Sequence, residues 1–148
     1  YMNVNEVNVL VLAYLGDTIY ENYVRKHLVL SGIGNVNDLQ KEAISYVSAS
    51  NQAKYLTKMI DDNFLYEDEI SVFKRARNYK TTSHPKSCDI ITYKYATGLE
   101  AIIGYLELQN KKRILSDKLI DGEIRDKNIL SELTKEDIKN LLSYENKD

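Results

Sequence analysis

The chain has 148 residues, 43% hydrophobic and 28% charged, with a net charge of −2 and a pI near 5.8. That length and balance fit one folded domain with its own core, and they exclude a disordered chain or one that holds nucleic acid through overall positive charge. A single cysteine, Cys88, excludes an intrachain disulfide framework and an all-cysteine metal site.

No apolar run approaches the roughly 20 residues of a membrane span, and no basic-then-apolar leader opens the sequence, so a cytoplasmic protein with no membrane partner is expected. Tyr1, ahead of Met2, is read as an addition before the translational start and set aside. Only one proline and six glycines interrupt the chain, and apolar residues recur at three- and four-residue intervals, which predicts an all-α fold. The segments number about seven helices by this periodicity.

The first helix is expected from about Val4 to Leu30, along Val7, Leu10, Val11, Tyr14, Leu15, Ile19, Tyr23 and Leu28, with Gly32 of "SGIGN" as its C-cap. Asn35 or Asn37 caps a second helix carrying Leu39, Ala43, Tyr46 and Val47, and a third carries Ala53, Leu56, Met59 and Ile60 to near Asp62. A fourth spans roughly Glu67 to Asn78. "YKTTSHPKS", residues 79 to 87, lacks any period and reads as a loop of the length that tends to be functional. A long fifth helix follows from about Asp89 to Asn110, then a short one over Arg113 to Asp121 and a last one opening at Thr134 with Asp137 in a capping-box pattern.

Two features break the helical pattern. In "LAYLGDTIYE", Gly16 and Asp17 stand side by side mid-helix, where a glycine costs about 1 kcal/mol against alanine. Asp17 shares its face with Ala13, and in "YATGLEAIIGYLEL" Glu100 likewise lies among Ala96, Thr97 and Gly104, with Gly98 nearby. Such bare patches either let a hydrated metal or a phosphate approach the carboxylates, or mark close helix packing with the acids paired to other side chains. Glu21, four residues before Arg25, reads first as half of a surface ion pair.

Between Lys74 and Lys86 there are five basic residues (Lys74, Arg75, Arg77, Lys80 and Lys86) and no acid, with Asn78, Thr81, Thr82, Ser83 and His84 interleaved. In an acidic chain this is either a phosphate-binding segment or a solvated helix terminus whose cations complement the helix dipole. His27 and His84 have no metal-ligand spacing to each other and read as surface or phosphate-contacting residues, and the twelve tyrosines mostly as packing residues.

Three of these stretches resemble one family. "LAYLGDTIYENYVRKHL" resembles the signature helix of ribonuclease III domains and "TYKYATGLEAIIGYLEL" their second catalytic helix. "FKRARNYKTTSHPKSCDIITYK" between them resembles the Mini-ribonuclease III branch. The resemblance covers roughly residues 7 to 120 and implies the all-α ribonuclease III endonuclease-domain fold, as a catalytic domain at 4–121 followed by a C-terminal extension at 122–148. It implies Asp17 as a catalytic aspartate and Glu100 as a catalytic glutamate, both holding Mg²⁺ with Mn²⁺ as a substitute. It also implies Tyr14 at the contact of a homodimer, and Lys74, Arg75, Arg77, Asn78, Lys80 and Lys86 on double-stranded RNA. The implied reaction is phosphodiester hydrolysis leaving 5′-phosphate and 3′-hydroxyl ends. Its implied substrate is precursor 23S ribosomal RNA, with a ribosomal protein presenting it. Larger members carry further acids where this chain has Leu10, Ala13 and Thr97, which leaves open a second reading: a catalytically weak module of the same fold that binds structured RNA or the ribosome.

Overall fold

A computed structural model describes residues 3–81 and 83–109, and every regular element among them is helical. The chain enters through a 3₁₀ turn, Val4–Glu6, before α1, Val9–Leu30. The single helix expected from about Val4 is therefore broken. The cause is Asn8, whose backbone is non-helical (φ −56°, ψ 135°) and whose Oδ1 accepts from the Leu10 N–H at 2.8 Å, so that it caps a new helix. At the other end Gly32 takes φ +96°, a left-handed conformation that lets the chain leave the helix without strain.

Asn35 is the cap of α2, Val36–Val47, its Oδ1 accepting from the N–H groups of Asn37 and Asp38. A single residue then separates α2 from α3, Ala49–Asp61. Ser48 closes the first, and its Oγ accepts from the Asn51 N–H at the start of the second. α4 covers Glu67–Asn78, with the buried Glu69 carboxylate reaching back to the Tyr66 N–H at 2.8 Å, and α5 covers Ile90–Leu108, capped by Asp89. The two helices expected near 113–121 and from Thr134 lie outside the described residues.

Helix α5 is apolar all round and is accordingly the axis of the fold, buried almost without a break from Ala96 to Leu106 against α1, α3 and α4. Leu12 and Val24 of α1, Tyr55 and Leu56 of α3, and Ile102 and Leu106 of α5 are completely enclosed. Each such aliphatic chain contributes about 1.5–3 kcal/mol by leaving water. α2 contributes no fully buried residue and packs along α1. The Tyr105 hydroxyl donates to Asp68 Oδ2 at 3.0 Å, tying the start of α4 to the axis. No helix among the described residues is long and apolar enough to cross a membrane.

Candidate active site

The site begins with two glycines. A Cβ on Gly16 would lie 1.7 Å from the backbone oxygen of Glu100, and one on Gly104 would lie 2.0 Å from that of Leu12. α1 and α5 therefore cross backbone to backbone, each giving a glycine to the other. At the glycines the small residues serve close packing, and Ala13, Ala96 and Thr97 are buried as well, while the acids face each other rather than a neutralising side chain, which leaves the carboxylates open to a cation. The packing also explains why the acid stands next to the glycine, because a crossing that touches at Gly16 sets Asp17 against Glu100.

The two carboxyl groups share a hydrogen bond. Burial pushes the Glu100 carboxyl up to about 8, and the hydrogen bond and negative charge of Asp17 push in the same direction; a bond from the Gln52 amide opposes them. At neutral pH Glu100 thus keeps its proton and donates it to Asp17. Asp17 itself is exposed, so the pair opens to solvent.

Two carboxyls held together by one proton fit a divalent cation, which replaces the proton and satisfies both charges at once. Among the described residues no group of three or more His, Cys, Asp or Glu side chains is placed to hold a metal. A cation here would draw its remaining oxygens from water, substrate or a neutral side chain, the pattern suited to Mg²⁺.

Gln52 was not singled out in the sequence. Its signal is there: it falls on the same face of α3 as the buried Tyr55, Leu56 and Met59, a position the apolar spacing would assign to a hydrophobic residue. Leu10, Ala13 and Thr97 add no charge near the pair, and two of them, Ala13 and Thr97, are enclosed.

The basic segment is divided between fold and surface. Lys74, Asn78, Lys80 and Lys86 are exposed. Arg75 is half-buried, and its guanidinium donates to the Val7 carbonyl, fastening α4 to the turn ahead of α1. The Arg77 guanidinium lies 5.6 Å from the Phe73 ring centre, and its Nε donates to Asn78 Oδ1 at 3.3 Å.

His27 is half-buried with its ring edge-on to Tyr46 at 6.0 Å, a packing position rather than the surface one expected. His84 is exposed, and its Nδ1 is within 3.0 Å of the Pro85 and Cys88 carbonyls, which holds the turn before α5. Glu21 and Arg25 form the expected exposed ion pair at 3.1 Å. Tyr14 is 83% exposed and, with Leu10 and Val11, makes an apolar stripe on α1 that runs up to Asp17.

A family model described as the Ribonuclease III domain matches residues 10–111 of this chain. The chain is 40% identical over 116 residues to Mini-ribonuclease 3 of Streptococcus pneumoniae, covering 78% of this chain and 91% of that protein. It is 45% identical over 125 residues to Mini-ribonuclease 3 of Brevibacillus brevis, covering 80% and 92% respectively. A crystal structure of a Fusobacterium nucleatum protein is similar with a TM-score of 0.69 and 35% identity, over 79% of this chain and 93% of that one.

Proposed function

The chain belongs to the ribonuclease III domain family and is an endoribonuclease acting on double-stranded RNA, and we propose that Asp17 and Glu100 are its catalytic pair. The observation that carries this assignment is the hydrogen-bonded, solvent-facing pair of carboxyls on the α1–α5 crossing. Asp17 and Glu100 would hold Mg²⁺, or Mn²⁺ in its place. The cation, when bound, supplies Lewis-acid stabilisation of charge developing on the phosphate and the leaving oxygen.

The protein's own part is positional. The glycine crossing fixes the two carboxyls relative to each other, and the proton that Glu100 carries is released as the site is loaded. Hydrolysis by water leaves 5′-phosphate and 3′-hydroxyl ends without a covalent intermediate.

The exposed Lys74, Lys80 and Lys86, with Arg77 and Asn78, would contact RNA phosphates and 2′-hydroxyls, a mode that reads duplex shape rather than base sequence. Arg75 supports that surface by holding α4 in place. The Leu10, Val11 and Tyr14 stripe supports a homodimer, in which two sites address the two strands. On this reading the catalytic domain runs over 4–121 and residues 122–148 form an extension. The substrate is precursor 23S ribosomal RNA in the cytoplasm, presented by a ribosomal protein.

The test is cleavage of a double-stranded RNA in Mg²⁺ by the parent chain, Asp17→Asn and Glu100→Gln. Both variants should lose cleavage while keeping RNA affinity. A parent that binds duplex RNA without cutting it would make the domain a binding module instead.

A further inference from the structure

Gln52 is 3% exposed, on a helix face otherwise made of tyrosine, leucine and methionine. An amide taken out of water costs free energy unless its donors and its acceptor are bonded. One donor is satisfied: Nε2 gives a hydrogen to the Val47 carbonyl at 2.9 Å, across the α2–α3 junction, and the amide also stands close enough to the Glu100 carboxyl to favour its charged form. Because the Val47 carbonyl accepts only, the amide cannot be turned the other way. Its oxygen, Oε1, is consequently buried with no hydrogen-bond partner. Filling the space alone would call for leucine or methionine, so the buried acceptor needs a reason.

We propose that Gln52 is a positioning residue of the nuclease site, its Nε2 orienting the Glu100 carboxyl and its Oε1 serving as an oxygen acceptor for the hydrated divalent cation. The proposal rests on the reading of Asp17 and Glu100 as the ligand pair. A hydrated Mg²⁺ presents water hydrogens that need acceptors. An amide oxygen meets that need while the same side chain still donates through Nε2. Partners of this kind around a metal typically change its affinity by 10–100-fold when removed.

The experiment is calorimetric titration of Mn²⁺ into the metal-free full chain, without RNA, for the parent, Gln52→Leu, Gln52→Glu and Asp17→Asn, with melting curves to confirm folding. Gln52→Leu should weaken Mn²⁺ binding by about tenfold or more. Gln52→Glu keeps an acceptor oxygen and should bind at least as tightly as the parent. Parent-like binding by the leucine variant, or equal weakening in both, overturns the role of Oε1.

Asp17→Asn separates this from the broader reading. If that variant binds Mn²⁺ as the parent does, the carboxyl pair is not the metal site; if it fails to bind while Gln52→Leu is unaffected, only the role of Gln52 is lost. Should the leucine variant not fold, the side-chain amide signals of Gln52 in the ¹⁵N-labelled parent decide. They should shift with Mg²⁺, and signals that stay in place overturn the proposal.

Discussion

Replacing Gly16 with alanine tests the α1–α5 crossing on which the site depends. The new Cβ would sit 1.7 Å from the Glu100 oxygen, where contacts under 3.0 Å are essentially never found, and the obstructing atom is helix backbone that no rotamer change can move. The two helices must part by about an ångström or more, which strips contacts from Leu12, Ala101 and Ile102 at the centre of the core. Overpacking costs about 1–3 kcal/mol and more where backbone must shift, while alanine recovers about 1 kcal/mol of helix propensity. A net loss of about 2 kcal/mol is expected, the upper end of that cost less the propensity gain, and a large share of the roughly 5–15 kcal/mol that holds a domain together. Urea unfolding of the full chain measures it, with Gly34→Ala as the control, since nothing lies within 4 Å of a Cβ there. Cleavage should also fall under conditions where the variant remains folded, because Glu100 moves with its helix. A Gly16→Ala protein as stable as the Gly34→Ala control would refute the close crossing.

The pH dependence of stability follows from Glu100. Its folded-state value near 8 lies above the ordinary 4.5, so the folded chain holds an extra proton between the two. The stabilisation is complete below about 4.5 and is lost as pH rises toward about 8. Urea midpoints in EDTA should therefore fall across that window, with the slope removed in Glu100→Gln; a slope unchanged in that variant would count against the shared proton. Asp17→Asn removes one of the causes, so the upper edge of the window should move to lower pH in the same titration while the lower edge stays in place. In the basic segment, Arg75→Ala should cost about 1.5–3 kcal/mol in thermal or urea unfolding, the range for a charge-assisted bond whose acceptor is left without its donor. Alanine at the exposed Lys74, Lys80 and Lys86 should instead leave stability within about 0.5 kcal/mol per site and reduce the salt slope of RNA binding by about one per lysine, read by filter binding at several salt concentrations.

Much of this protein is legible in one dimension. The spacing of apolar residues places five helices close to where they stand, because helix periodicity is local and α5 announces its burial by being apolar all round. Asn35, one of the two asparagines expected to cap α2, does so, whereas the cap at Ser48 was not read, nor was Asn8, where a side chain competing for backbone N–H groups broke a helix the apolar pattern would continue. The resemblance to ribonuclease III domains carried Asp17 and Glu100 together; the spacing of small residues around each could be read in two ways.

Tertiary structure alone decided how those ways divide between the glycines and the acids. Whether a glycine clears space for a ligand or for another backbone depends on what stands opposite it, and residues 16 and 100 are brought face to face only by the packing of α1 on α5. The same holds for Arg75, whose charge reads as a phosphate contact until the Val7 carbonyl is found beside it, and for Gln52, whose place in the apolar register acquires meaning only next to Glu100. Helix periodicity is written into neighbouring residues, whereas burial, shared protons and orphaned acceptors arise from contacts between segments far apart in the chain.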